Sequence, residues 1–136
     1  MAANTSPIFP LIPQIEWGTI TAANTNMDGT GTVVTIFTAD VTNGSHLSFI
    51  TTKALGTNVA TVLRVFINNG SANTVATNNI LIHEISLPAT TADTDAETTE
   101  VKWEADFALP PGYKINVTLG AAVSGGWAVT AVGGKY

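Results

Sequence analysis

The sequence predicts an all-β fold: a single antiparallel β-sandwich, jelly-roll-like, with about eight short strands and an extended N-terminal arm. Three observations carry this expectation. Apolar residues recur with a period of two almost everywhere, and no segment sustains a 3.6-residue period. Turn dipeptides rich in Gly, Asn and Pro separate the alternating runs. Thr, a β-branched residue that favours strands, makes up roughly one residue in six.

The arm covers residues 1–16, and the sandwich domain covers residues 17–136. A first strand is expected over Trp17–Ala22 and a second over Thr32–Thr38, with Asp28-Gly29 between them. Asn43-Gly44 precedes a third at His46–Thr52; such dipeptides accept positive φ and favour tight hairpin turns. Thr61–Asn68 (TVLRVFIN) is apolar on both faces apart from Arg64, the pattern of a central strand. Asn69-Gly70 separates it from Asn79–Leu87. VKWEADFAL is the clearest alternation: Val101, Trp103, Ala105, Phe107 and Leu109 interleave with Lys102, Glu104, Asp106 and Ala108, as in one half-buried strand. Pro110-Pro111-Gly112 and Gly125-Gly126 then bound strands at Lys114–Gly120 and Trp127–Val132. The segment TKALGTNVATVL alone has any helical character, and Gly56 with its β-branched neighbours limits it to a turn. Pro88–Glu100 is polar and acidic and is expected to be a long exposed loop. There is no internal repeat and no linker dividing the sandwich.

Composition excludes several function classes. The chain has no cysteine, which removes disulfides, thiolate metal sites and a thiol nucleophile, and fits synthesis in a reducing cytoplasm. Only 11% of residues are charged and the net charge is −5. The basic residues Lys53, Arg64, Lys102, Lys114 and Lys135 are scattered, so no patch exists to neutralise phosphates, and nucleic acid is not an expected partner. No apolar run is long enough to span a membrane, and the N-terminus lacks the pattern of a secretory signal. A mean hydropathy of +0.27 with so little charge implies that other protein covers part of the surface.

No catalytic constellation is visible. Asn24, Asn26, Asp28 and Gly29 begin like a calcium loop, but the first ligand is Asn and the twelfth position is Thr35 where a bidentate Glu is required. Asp93, Asp95 and Glu97 alternate in an extended segment and can converge on one side, or serve as a solvated acidic loop. His46 and His83 are the only histidines. His83 and Glu84 are neighbours on a strand, so they point to opposite faces and form no dyad. Ser45 and Ser48 flank His46 without a nucleophile elbow, and Gly29–Gly31 lacks the rest of a phosphate-binding loop. No cofactor is expected. Trp103 belongs to the apolar side of its strand, whereas Trp17, Trp127 and Tyr113 are open to a core role or to stacking on a sugar. Sequons at Asn4, Asn43, Asn69 and Asn116 are expected by chance in so Thr- and Asn-rich a chain.

The last thirty residues, FALPPGYKINVTLGAAVSGGWAVTAVGGKY, combine an L-P-P-G turn, an alternating strand, W-x-V-x-A and a final G-G-x-Y. This stretch resembles the closing strands of small β-sandwich proteins of tailed bacteriophage virions, most of all capsid decoration (cement) proteins. The resemblance implies a structural protein on the capsid surface that bridges neighbouring shell subunits. Its implied partners are the major capsid protein or other virion subunits, with a homo-oligomer, most often a trimer. No catalytic residue comes with it. Tail, head-fibre or baseplate modules, with a host glycan as an optional ligand, are the alternative within the resemblance; a glycan-binding or adhesive module of non-viral origin is a separate third reading.

The arm is the candidate partner-binding site: Pro7, Ile8, Phe9, Pro10, Leu11, Ile12, Pro13 and Ile15. Pro7, Pro10 and Pro13 recur at the three-residue period of polyproline II. In that form Ile8 and Leu11 line a second face, and Phe9, Ile12 and Ile15 a third. Two outcomes stay open: docking into a neighbouring subunit, or folding back as an edge segment of the same sandwich.

Overall fold

Alternation in so many segments, with turns between them, leaves the chain one economical way to bury its apolar faces: two sheets pressed together. The computed structural model describes residues 9–136 and has this architecture. Nine strands form, namely β1 (Ile12–Ile20), β2 (Val34–Thr38), β3 (Ser45–Ala54), β4 (Thr61–Asn68), β5 (Asn79–Leu87), β6 (Glu100–Trp103), β7 (Phe107–Leu109), β8 (Lys114–Leu119) and β9 (Trp127–Lys135). Among the described residues the sole helical element is a 3₁₀ turn at Ala76–Asn78.

One sheet has the order β1-β9-β3-β6, with β7 also on β3, and the other has the order β2-β8-β4-β5. All strand pairings are antiparallel. This order follows from rolling up one long hairpin. Its closed end is β4 with β5; working outward, β3 pairs with β6 and β7, β2 with β8, and β1 with β9. Rolling then brings β9 against β3 and β8 against β4. The fold is a jelly-roll β-sandwich.

The core lies between the sheets. Leu47, Ile50, Val129, Ala131 and Trp127 from the first sheet meet Leu63, Val65, Ile115, Val117 and Leu119 from the second, all fully buried. The outward side of β4 and β8 is buried as well, at Phe66, Asn68, Asn116 and Thr118. There Val33 and residues 70–73 fold over Asn68 and Asn116. Loops 21–33 and 69–78 are laced by amides: Asn73 Nδ2 donates to the carbonyls of Gly29 and Gly31, and Asn79 Nδ2 to that of Asp28. At one end, buried Asn58 ties three loops together. Its Nδ2 donates to Gly126 O (3.1 Å) and Thr90 Oγ1 (3.2 Å), and its Oδ1 accepts from Gly126 N–H (2.8 Å).

Three expectations are corrected. The 101–109 alternation persists in burial but is split between β6 and β7, because Asp106 adopts a left-handed conformation (φ 51°) and donates its N–H to Ser48, the extra residue of a bulge in β3. Asn43-Gly44 and Asp28-Gly29 are not hairpin turns; each lies in a connection that crosses between sheets, although Gly29 and Gly44 do take positive φ. The arm's boundary moves: strand pairing begins at Ile12, with Ile12 opposite Lys135, not at Trp17. Pro13 is accommodated because β1 is an edge strand, where a missing N–H leaves no partner unpaired on the open side. From Ile12 onward a period of two replaces the period of three.

Candidate interaction surface

Along β1 the even positions Gln14, Glu16, Gly18 and Ile20 turn inward, and the odd positions Pro13, Ile15, Trp17 and Thr19 turn outward. The inward side is anchored by a polar clasp. Gln14 Nε2 donates to Thr38 O and to Glu16 Oε2 (both 2.7 Å), and Gln14 Oε1 accepts from Ser45 Oγ (2.7 Å). Glu16 Oε2 in turn accepts from Thr38 N–H, and Ser45 Oγ accepts from Asp40 N–H. The clasp joins β1 to the end of β2 and to β3, so it locks the edges of the two sheets together.

The outward side is apolar and open. Phe9 is 69% exposed, Leu11 81%, Ile15 56% and Trp17 69%; Ile12, at the open end of the other face, is exposed as well. On the same face β9 presents Ala128, Thr130, Val132 and Gly134, which lie opposite Thr19, Trp17, Ile15 and Pro13. Beyond them β3 contributes Phe49, Thr51 and Lys53. The strip ends at a charged rim, where Lys102 Nζ stands 4.1 Å from the centre of the Phe49 ring and pairs with Glu104 at 2.9 Å. Bulky side chains on β1 therefore form a ridge beside a trough of small residues on β9.

The two C-terminal glycines explain how the chain reaches this strip. A Cβ on Gly134 would stand 2.5 Å from Pro10 Cβ, so the glycine lets Pro10 lie flat on the sheet. A Cβ on Gly133 would collide with the carbonyl oxygen of His46, so that glycine permits the close approach of β3. Pro10 to Pro13, Ser48, Gly133 and Gly134 enclose a hollow of about 270 Å³. A larger groove of about 690 Å³ lies next to it, lined by Leu11, Asn43, Ala108, Leu109, Pro110, Pro111 and Tyr136.

Of the arm residues singled out in the sequence, Pro7 and Ile8 lie outside the described residues. Phe9, Pro10, Leu11, Ile12, Pro13 and Ile15 are all exposed, the last three within β1. Trp17 falls outside the expected arm, which ends at residue 16, yet it shares the face of Ile15. The other tryptophans have structural places. Trp127 is fully buried in the core, and Trp103 stacks on His83 with ring centroids 4.3 Å apart.

His46 is bridged between Asp106 Oδ1 (2.8 Å, from Nε2) and the Tyr136 hydroxyl (3.4 Å, from Nδ1). This cluster pins the β6–β7 junction and the C-terminus to β3; among the described residues no serine hydroxyl bonds to the imidazole. Glu84 pairs with Arg64 at 3.0 Å and leaves His83 to its stacking partner. The calcium-like loop spends its polar atoms on itself. Asn24 Nδ2 donates to the carbonyls of Thr30 and Thr32, and Asp28 Oδ1 accepts from the N–H and hydroxyl of Thr30, which hold its carboxyl below the usual range. Asp93, Asp95 and Glu97 are exposed, and Asp93 Oδ1 accepts from Asp95 N–H. Among the described residues no group of three acidic or His side chains is placed to hold a metal ion. The sequon residues Asn43 and Asn69 are exposed, Asn116 is buried, and Asn4 lies outside the described residues.

No family model and no curated protein matches the chain. Among solved structures, one titled as the structure of infectious bursal disease virus Gt strain is similar at 13% identity. That match covers 96% of this chain but 36% of the other, with a TM-score of 0.28.

Proposed function

We propose that this chain is a non-enzymatic structural protein of a tailed bacteriophage virion, which decorates and stabilises the capsid by bridging neighbouring subunits. The observation that supports it best is the row of exposed apolar side chains from Phe9 to Trp17, held on a strand that is itself locked to the sandwich. Exposed apolar patches of this extent mark surfaces that other protein covers. A jelly roll alone does not choose, since shell domains, lectins and cupins share it; the likeness of Phe107–Tyr136 to virion proteins points to the first. The test is to isolate particles that carry the protein and ask whether it stays bound in about 1 M NaCl, where only the electrostatic part of an interface is screened. Retention with wild-type protein and loss with Trp17→Lys is expected. Release by salt alone counts against the reading.

A tail, head-fibre or baseplate module is the second reading. It is favoured by the groove beside Tyr136, which combines an aromatic ring with the polar Asn43 and adjoins the exposed Asp106. Binding of a glycan panel, abolished by Tyr136→Ala, would select it.

A further inference from the structure

We infer that the apolar strip is covered by a second copy of this same chain, packed face to face about a two-fold axis. The inference rests on the reading above that the strip is a docking surface, and it names the partner. An isologous interface requires a surface that complements itself. The strip has that property because a ridge and a trough run side by side along paired strands. The ridge is Ile15 and Trp17 on β1, and the trough is Ala128, Thr130 and Val132 on β9, none larger than valine, closed at one end where Pro10 lies on Gly134. Let one copy be rotated by half a turn about an axis that runs along the strands between β1 and β9. Trp17 then lies over the second copy's Thr130 and Ile15 over its Val132, and the converse contacts form at the same time. Strands in sheets packed this way settle at about 30° to each other.

Size and charge agree with that occupant. The exposed parts of Phe9, Leu11, Ile15 and Trp17 amount to about 500 Å². With the trough and Phe49 added, the strip approaches the ~800 Å² that each partner contributes to a standard stable interface. The outward side chains of β1 and β9 carry no charge, so nothing on the strip needs an oppositely charged partner. The charged groups, Lys53, Lys102, Glu100 and Glu104, stand at its rim. Each copy carries a net charge of −5, so the two repel and salt should tighten the pair rather than loosen it.

The experiment is sedimentation equilibrium on the full chain at low and at high NaCl. The expected result is a species of twice the 14.1 kDa chain mass, with a dissociation constant that falls as salt rises. Trp17→Lys on the ridge and Thr130→Arg in the trough should each weaken the pair by more than about thirtyfold with unchanged circular dichroism. Ile80→Lys, at an exposed position on β5 of the other sheet, should leave it intact. A monomer at about 100 μM, whether the strip is covered by residues 1–8 of its own chain or awaits a shell protein, overturns the inference. A three-fold mass overturns the two-fold geometry. Particle binding is scored separately: a chain that pairs without binding particles refutes the proposed function alone, and one that binds particles as a monomer refutes this inference alone.

Discussion

Replacing Gln14 with alanine tests whether the proline-rich entry segment is an integral strand. Gln14 is 7% exposed and makes three side-chain hydrogen bonds, to Thr38 O, Glu16 Oε2 and Ser45 Oγ. Alanine removes all three, takes a donor from the carbonyl of Thr38 and leaves the Ser45 O–H without an acceptor in a part-buried seam, although Ser45 Oγ still accepts from Asp40 N–H. At about 1 kcal/mol per bond, and more where the acceptor is a carboxylate, the loss is about 3 kcal/mol. For a domain of this size that lowers Tm by about 10 °C. Thermal unfolding followed by circular dichroism measures it, with Leu11→Ala as the control, since Leu11 is 81% exposed and its truncation should leave Tm unchanged. Ser45→Ala combined with Gln14→Ala should cost less than the sum of the two, by about 1 kcal/mol, because the pair shares one bond. A Gln14→Ala protein within about 3 °C of wild type would refute the clasp, and with it the view that β1 is locked to both sheets.

Other predictions follow from the same geometry. A chain beginning at Gln14 should fold with an unchanged circular dichroism spectrum, because among the described residues it loses the Leu11–Lys135 hydrogen bond, the Pro10–Gly134 contact and the pairing of Ile12 and Pro13, none of them in the core; aggregation or an unfolded spectrum would contradict this. Asn58→Ala should cost about 2–4 kcal/mol in urea titration, since it strips partners from Gly126 N–H and from Thr90 inside a buried junction. Asp40 accepts from the N–H groups of Asn43 and Thr42, which lower its pKa below the ordinary 3.8. A carboxyl depressed on folding adds stability that is present above its unfolded pKa and lost as pH falls through the folded one. Wild type should therefore be more stable than Asp40→Asn at neutral pH, and the gap should close between roughly pH 5 and pH 2.

How legible each element was depended on whether its signal was local. The bounds of β4 and β5, Thr61–Asn68 and Asn79–Leu87, coincide with the expected strands, helped by the Asn69-Gly70 turn that ends β4 and Pro88 that ends β5. The start of β1 was hidden, since proline at every third position mimics polyproline II while the inward positions Gln14 and Glu16 are polar and give no apolar alternation. Which turns join paired strands was not legible either. A glycine at positive φ serves a hairpin and a crossover equally, so Gly44 carries no information about the sheet on either side of it. The amide lacing of Asn73 and Asn79 to the 28–31 loop spans more than forty residues of sequence, and only the fold brings them together. The double glycine before Lys135 did carry a readable signal of close backbone approach. Its target, Pro10 on one side and His46 on the other, appears only once β1, β9 and β3 are adjacent.

The central claim is that this chain is a shell protein whose incorporation depends on the strip from Phe9 to Trp17. Quantitative mass spectrometry of purified particles, grown with wild-type chain and with Trp17→Lys, tests it most directly. The account predicts wild-type copies in fixed proportion to the major shell protein and a near-complete loss with the variant, although the variant folds. A few copies per particle, or equal incorporation of both chains, would contradict it.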